Sequence, residues 1–228
     1  MIVHTRAAAA GSLAILITAV VAVAASGHGT TRSTRAMRSS RLTATMSAAR
    51  TGPSPYAYLP KVPSFTLTST TLRNGQPLPK AQLSKLFKVP GGEDISPQLS
   101  WHGFPTATKS FIVSMYDPEA PTGGGFWHWV LVDLPAGTTS LKANAGRIGG
   151  QLPGSAFDLL GDAGVRQYVG GAPPAGSCVH DYYITVTALN VVSLPGITRA
   201  SSADYSGFVA GGHTIARATI VAPTELPK

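Results

Sequence analysis

Two stretches of this chain constrain its folding more than any other feature. Trp127 to Leu134 reads W-H-W-V-L-V-D-L, and Tyr182 to Leu189 reads Y-Y-I-T-V-T-A-L. Both are dense in aromatic and β-branched residues, which suit a pleated surface and crowd a helix. Both stop at turn formers, Pro135 after the first and Asn190 after the second. Strands are therefore expected there. Ser110 to Tyr116 is a third, closed by Asp117-Pro118, and Phe65 and Leu67 alternate with Thr66 and Thr68 in a half-buried fourth. A last strand is expected over Thr214–Val221, and Asn74-Gly75 marks a turn. A short helix is expected from about Ser202 to Ala210, capped by Ser201 or Ser202. With 25 Gly, 18 Pro and only 12% charged residues, the fold class is mainly β: an antiparallel β-sandwich with a few short helices. The lone Cys178 excludes an internal disulfide, so packing must stabilise the domain.

The formal charge of +8 lies away from these strands. Arg6, Arg32, Arg35, Arg38, Arg41, Arg50 and Lys61 precede the first carboxylate, Glu93, and the remainder carries 11 basic against 10 acidic residues. A nucleic-acid groove needs its basic stripe on the folded domain, so nucleic-acid binding is not expected. The N-terminal arm instead reads as a targeting device. His4 and Arg6 precede the apolar run Ala7–Ala25, and Ala22, Ala24 and Ala25 offer an A-x-A-like cleavage point before Ser26. The run is 19 residues long, near the roughly 20 that span a bilayer. Residues 1–25 are thus a signal peptide or an N-terminal anchor, residues 26–61 a disordered linker rich in Ser, Thr, Arg and Ala, and residues 62–228 the folded domain. The expected location is secreted or cell-envelope, with membrane association through residues 7–25.

Three segments place polar side chains at strand ends beside rigid turns: Asp117-Pro118-Glu119-Ala120-Pro121, Gly123 to Trp129 (G-G-G-F-W-H-W), and Tyr168 through Gly170, Gly171, Pro173, Pro174 and Gly176 to His180-Asp181-Tyr182. Strand alternation sets His128 opposite to both Trp127 and Trp129, and puts His180 and Tyr182 on one face. With Ile95-Ser96-Pro97-Gln98-Leu99-Ser100-Trp101, these segments resemble, in order and spacing, the D-P-D-x-P, H-W, G-P-x-P-P-x-G…H-R-Y and I-S-P-x-L-x-W segments of the phosphatidylethanolamine-binding protein family, which includes Raf-kinase-inhibitor-like proteins. The similarity runs from about Phe65 to Val221 and looks closest to the bacterial branch.

The resemblance implies that Asp117, Pro121, His128, Pro173, His180 and Tyr182 converge on one shallow pocket for phosphoryl groups or small carboxylate-like anions. Two imidazoles and a phenol can donate to anionic oxygens, and prolines give a rigid rim. Asp117 is expected to accept an N–H from His128 and fix that ring. Small anions or phospholipid headgroups are the implied partners, a kinase or protease target and a homodimer are admitted, and no cofactor or metal is implied. Three departures stand out. Asp181 replaces an Arg, which loses or reverses an ion pair behind the pocket. Glu119 replaces an Asp. Gly171 replaces a Pro, which is expected to loosen its loop.

The same residues admit other chemistries. Asp117, His128 and His180 are the ligand types of a two-His-one-carboxylate metal site, but no spacing fixes one. Cys178 lies two residues from His180, so a Cys178/His180 or metal-assisted phosphoester hydrolase is the enzymatic rival. A pure protein-interaction module with a vestigial pocket is the other. With no nucleophile–base–orienter set evident, binding without turnover is expected and no catalytic residue is assigned. Trp101, Trp127 and Trp129 are expected in packing roles.

Overall fold

The computed structural model describes residues 52–228; the expected leader and residues 26–51 of the expected linker lie outside the described residues. Among the described residues, eight strands and one α-helix follow in the order β1 (Thr66–Thr68), β2 (Leu99–His102), β3 (Ser110–Asp117), β4 (Phe126–Pro135), β5 (Ser140–Leu141), β6 (Phe157–Asp158), β7 (His180–Leu189), α1 (Ala203–Gly211) and β8 (Thr214–Thr224), with one 3-10 turn at Lys80–Gln82. All sheet pairings are antiparallel, in a three-stranded sheet β1-β2-β5 and a five-stranded sheet β6-β4-β3-β7-β8. The expected mainly β sandwich is what forms. Ser202 caps α1, its side chain accepting from the Tyr205 N–H, which satisfies one of the donors a helix start leaves free.

The long strands β3, β4 and β7 are buried along nearly their whole length because the larger sheet is covered on both faces. Its inner face packs Phe111, Val113, Met115, Leu131 and Ile184 against Leu99 and Trp101 of the smaller sheet. Its outer face packs Ile112, Val130, Val132 and Leu189 against Ala203 and Ala210 of α1.

The segment before Val62 also reaches the outer face. Tyr56 packs edge-on against Tyr183 at 6.2 Å, donates its hydroxyl to Thr185 Oγ1 at 2.9 Å, and lies under the Arg217 guanidinium at 4.6 Å. The described end of the stretch read as a linker is therefore docked on the sheet. A single tyrosine does this, which a composition-based reading passes over.

Behind the inner core, Trp129 Nε1 donates to Asp158 Oδ1 at 2.8 Å. Burial pushes the Asp158 carboxyl up to about 6, with the indole hydrogen bond and Arg199 opposing. A carboxyl whose folded value is raised favours the fold most below its unfolded value, and that contribution is lost as pH rises through about 6. Asp158→Asn keeps an acceptor for the indole without the buried charge. It should raise stability at pH 7.5 by about 2 kcal/mol and leave it unchanged at pH 4, read from urea unfolding at both values.

Candidate anion-binding site

The three adjacent central strands each deliver one polar side chain to the same end of the larger sheet. Asp117 closes β3, His128 lies near the start of flanking β4, and His180 opens β7 on the other side. All three are buried, at 2–3% exposure. His180 arrives by simple alternation: it shares a face with Tyr182, their rings stacked 6.4 Å apart.

His128 arrives differently. Met115 pairs with Trp129 and Tyr116 with Trp127, so His128 is the extra residue of a β-bulge. A bulge interrupts the two-residue period and re-aims the side chain it carries. Trp129 consequently packs in the inner core and Trp127 against the outer one, which corrects the expectation that both indoles share a face opposite His128. Trp127 Nε1 donates to Asp204 Oδ1 at 2.7 Å on the outer side.

Asp117 holds His180 rather than His128. Its Oδ2 accepts the His180 Nδ1 proton at 2.8 Å, and its Oδ1 accepts the Glu119 N–H at 3.0 Å. His128 Nε2 stands 3.8 Å from the same Oδ2, beyond hydrogen-bond reach, while His128 Nδ1 donates to the Val169 carbonyl at 3.2 Å. Burial would raise the Asp117 pKa, but the two imidazoles outweigh it and hold the carboxyl below its ordinary value.

The tautomers follow, since neither a carbonyl nor a carboxylate can donate. Both rings carry their proton on Nδ1, and both Nε2 atoms are left for other partners. His180 Nε2 has Ser177 Oγ at 3.3 Å. His128 Nε2 is buried with no hydrogen-bond partner among the described residues.

These atoms border a cavity of about 470 Å³, walled by Pro121, Pro173, Pro174, Phe87, Phe126 and Leu226, with Lys88 at its edge. Five of the six expected residues meet there. Tyr182 does not: it is fully buried, and its hydroxyl accepts the Ala172 N–H at 3.0 Å. Burial, then the neighbouring Asp117 charge, raises its pKa, so the phenol stays neutral. It is a post supporting the Pro173 loop, with its ring edge-on to His128 at 5.2 Å.

That loop is held firmly. Gly171 donates to Gln82 O at 3.1 Å and accepts from Ser84 N at 2.9 Å. A Cβ on Gly171 would meet Leu78 Cδ1 at 2.5 Å and Tyr182 Cζ at 2.9 Å. The expected loosening by Gly171 does not occur, because glycine there allows close approach rather than freedom. Glu119 accepts the Asp181 N–H at 2.9 Å, joining the first segment to the third.

Sequence reasoning missed Asp94. It adopts a left-handed φ of 56° and staples two loops, accepting Leu86 N at 2.8 Å through Oδ2 and Gly170 N at 2.7 Å through Oδ1. A G-G-E-D turn gives no clue to partners so far along the chain. Ser177 and Lys88 were also missed.

A family profile described as phosphatidylethanolamine-binding protein matches residues 68–225. The chain belongs to this family. Among relatives of the phosphatidylethanolamine-binding family, the Escherichia coli UPF0098 protein YbhB is 40% identical over 158 residues, which cover 68% of this chain and 97% of that protein. The E. coli UPF0098 protein YbcL is 38% identical over 164 residues, 72% of this chain and 88% of YbcL. The crystal structure of E. coli YbcL, described as a member of the mammalian PEBP family, superposes with a TM-score of 0.68 and covers 72% of this chain and 99% of that one. The CT736 homolog from Chlamydia trachomatis gives 0.57 at 28% identity, covering 71% of this chain and 97% of CT736.

Proposed function

We propose that this protein is an exported binding module whose pocket takes a phosphoryl group, free or as part of a phospholipid headgroup, without turning it over. The observation that carries this reading is His128 Nε2, a buried nitrogen on a cavity-lining residue, with no hydrogen-bond partner among the described residues. A buried polar atom left without a partner costs free energy that a ligand oxygen would recover. With both Nδ1 protons already committed, a proton taken up by either ring must sit on Nε2, where it becomes a donor toward an anion.

Phe87 and Lys88 line the same cavity, and exposed Leu86 and Lys85 immediately precede them in the chain, a pairing suited to a headgroup layer. The family's name supplies the ligand class, and the apolar run at Ala7–Ala25 supports export.

Phosphate titrated into the full chain by calorimetry, in two buffers of different ionisation enthalpy, should bind saturably with proton uptake. His128→Gln should weaken it by about 2 kcal/mol. Binding without proton uptake, unchanged in His128→Gln, would remove the imidazole from the account.

One observation favours a second reading. Ser177 Oγ, His180 Nε2, His180 Nδ1 and Asp117 Oδ2 form the order of a nucleophile, base and orienter. Cys178, the residue expected in the enzymatic rival, is exposed. The Ser177 hydroxyl also reaches Cys178 O at 3.1 Å, and the Gly176 and Ser177 N–H groups are taken by Leu226 O and Pro174 O. Those two amides are therefore not available to an oxyanion. Covalent labelling of Ser177 by a fluorophosphonate would favour the hydrolase; reversible competition by phosphate without labelling favours binding. For a metal, no group of three His, Cys, Asp or Glu side chains among the described residues is arranged to hold an ion.

A further inference from the structure

A second cavity, of about 330 Å³, lies on the outer face of the larger sheet. Three elements enclose it: the segment from Pro55 to Val62, one side of α1, and the sheet surface at Ile112, Ser114, Val130 and Arg217. It shares no lining residue with the anion pocket. Its volume falls in the lower range for small-molecule sites, and its walls are mostly apolar, as such sites usually are.

One cation breaks the apolar lining. The Arg217 guanidinium lies 4.6 Å over the Tyr56 ring, and its Nε is buried without a hydrogen-bond partner among the described residues. No carboxylate forms an ion pair with it among the described residues. The cavity's one carboxylate, Asp204, accepts the Trp127 indole N–H.

The enclosing strap is fixed on both sides of its turn. Tyr56 is bonded to Thr185, and Arg217 N donates to Pro63 O at 3.0 Å. Pro55, Pro60 and Pro63 limit its backbone. Phe208, 81% exposed, and half-exposed Leu59 line the same cavity and give it an apolar rim. A guanidinium without a carboxylate partner among the described residues, set inside mostly apolar walls, is matched by a ligand with a planar oxyanion at one end and hydrocarbon at the other.

We infer that this cavity is a second ligand site, for a small amphipathic carboxylate of the fatty-acid class, with the carboxylate on Arg217 and the hydrocarbon between α1 and the sheet.

The test titrates octanoate, and octanol as its uncharged counterpart, into the full chain, and follows the methyl resonances of Ile112 and Val130 by NMR. Octanoate should give saturable shifts, and octanol should bind about tenfold more weakly or worse. Arg217→Gln should remove the difference while leaving octanol binding in place, which separates lost recognition from lost folding. Gly207→Leu should abolish binding of both: Gly207 lines the cavity, has open space where a Cβ would project, and leucine suits a helix better. His128→Ala/His180→Ala should bind octanoate as the parent does. The proposal is overturned if octanoate leaves these methyls unmoved, if octanol binds equally well, or if the double histidine variant alone loses binding. Shifts that grow with protein concentration in the absence of octanoate would assign the cavity to a second copy of the chain, and would also overturn it.

Discussion

Asp117→Ala should lower the free energy of unfolding at neutral pH by about 3 kcal/mol. The carboxylate is 2% exposed and serves two donors directly, His180 Nδ1 at 2.8 Å and Glu119 N at 3.0 Å, with His128 Nε2 at 3.8 Å beyond them. Alanine leaves those donors in a dry site with nothing to accept them, which is costlier than the bonds themselves are worth. The pH dependence carries a definite sign. Burial resists the charge, yet the imidazoles prevail and hold the folded pKa below the ordinary value. A depressed carboxyl contributes stability above its unfolded value and loses it as pH falls through the folded one. The gap between wild type and Asp117→Ala should be widest near neutrality and narrow below about pH 4. Asp117→Asn, which keeps an acceptor for Glu119 N, should fall between the two. Urea midpoints that coincide at pH 7 would show that the carboxylate is not holding the strand ends together.

Gly170→Ala should cost about as much, roughly 3 kcal/mol, for a steric reason. A Cβ there would lie 2.2 Å from Leu83 C, 2.4 Å from Leu83 O and 2.5 Å from Gln82 O. These are backbone atoms, so no side chain can rotate away, and the two segments must separate. Separation strains Gly170 N to Asp94 Oδ1 and both bonds between Gly171 and the 82–84 segment. It also shifts Val169, whose carbonyl holds His128 Nδ1, so the proposed anion binding should weaken along with stability. Gly123→Ala and Gly124→Ala, both with open space around the new methyl, should change stability by less than about 0.5 kcal/mol. The four proteins compared by urea unfolding separate a close backbone approach from a general need for glycine.

The parts of this molecule legible in the sequence are those that follow from local chemistry. β3, β4 and β7 announced themselves because both sheet faces are covered and the strands are apolar nearly throughout. Ser202 marked the start of α1 because a cap is a local hydrogen bond. Motif resemblance singles out Asp117, His128 and His180, and alternation His180 as well; the structure brings the three to one cavity. What failed was what depends on distant partners. The bulge at His128 has no sequence mark, so Trp127 and Trp129 were placed on one face. The resemblance pairs Asp117 with His128, whereas the ring on its Oδ2 is His180, delivered by the strand on the other side of β3. Tyr182 has the residue type of a ligand donor, but its hydroxyl accepts the Ala172 N–H, a partner no local pattern announces. Asp94, Tyr56 and Arg217 act on segments dozens of residues away, and no local pattern reveals such bonds.

The most direct test of the central claim is a phosphate titration of the full chain followed at the imidazole nitrogens by NMR, beside a His128→Ala/His180→Ala variant. The account predicts that His128 Nε2 shifts saturably toward the protonated form as phosphate binds, that its Nδ1 stays protonated throughout, and that the double variant binds no phosphate. Phosphate bound equally by the variant, or His128 Nε2 unmoved at saturation, would contradict it.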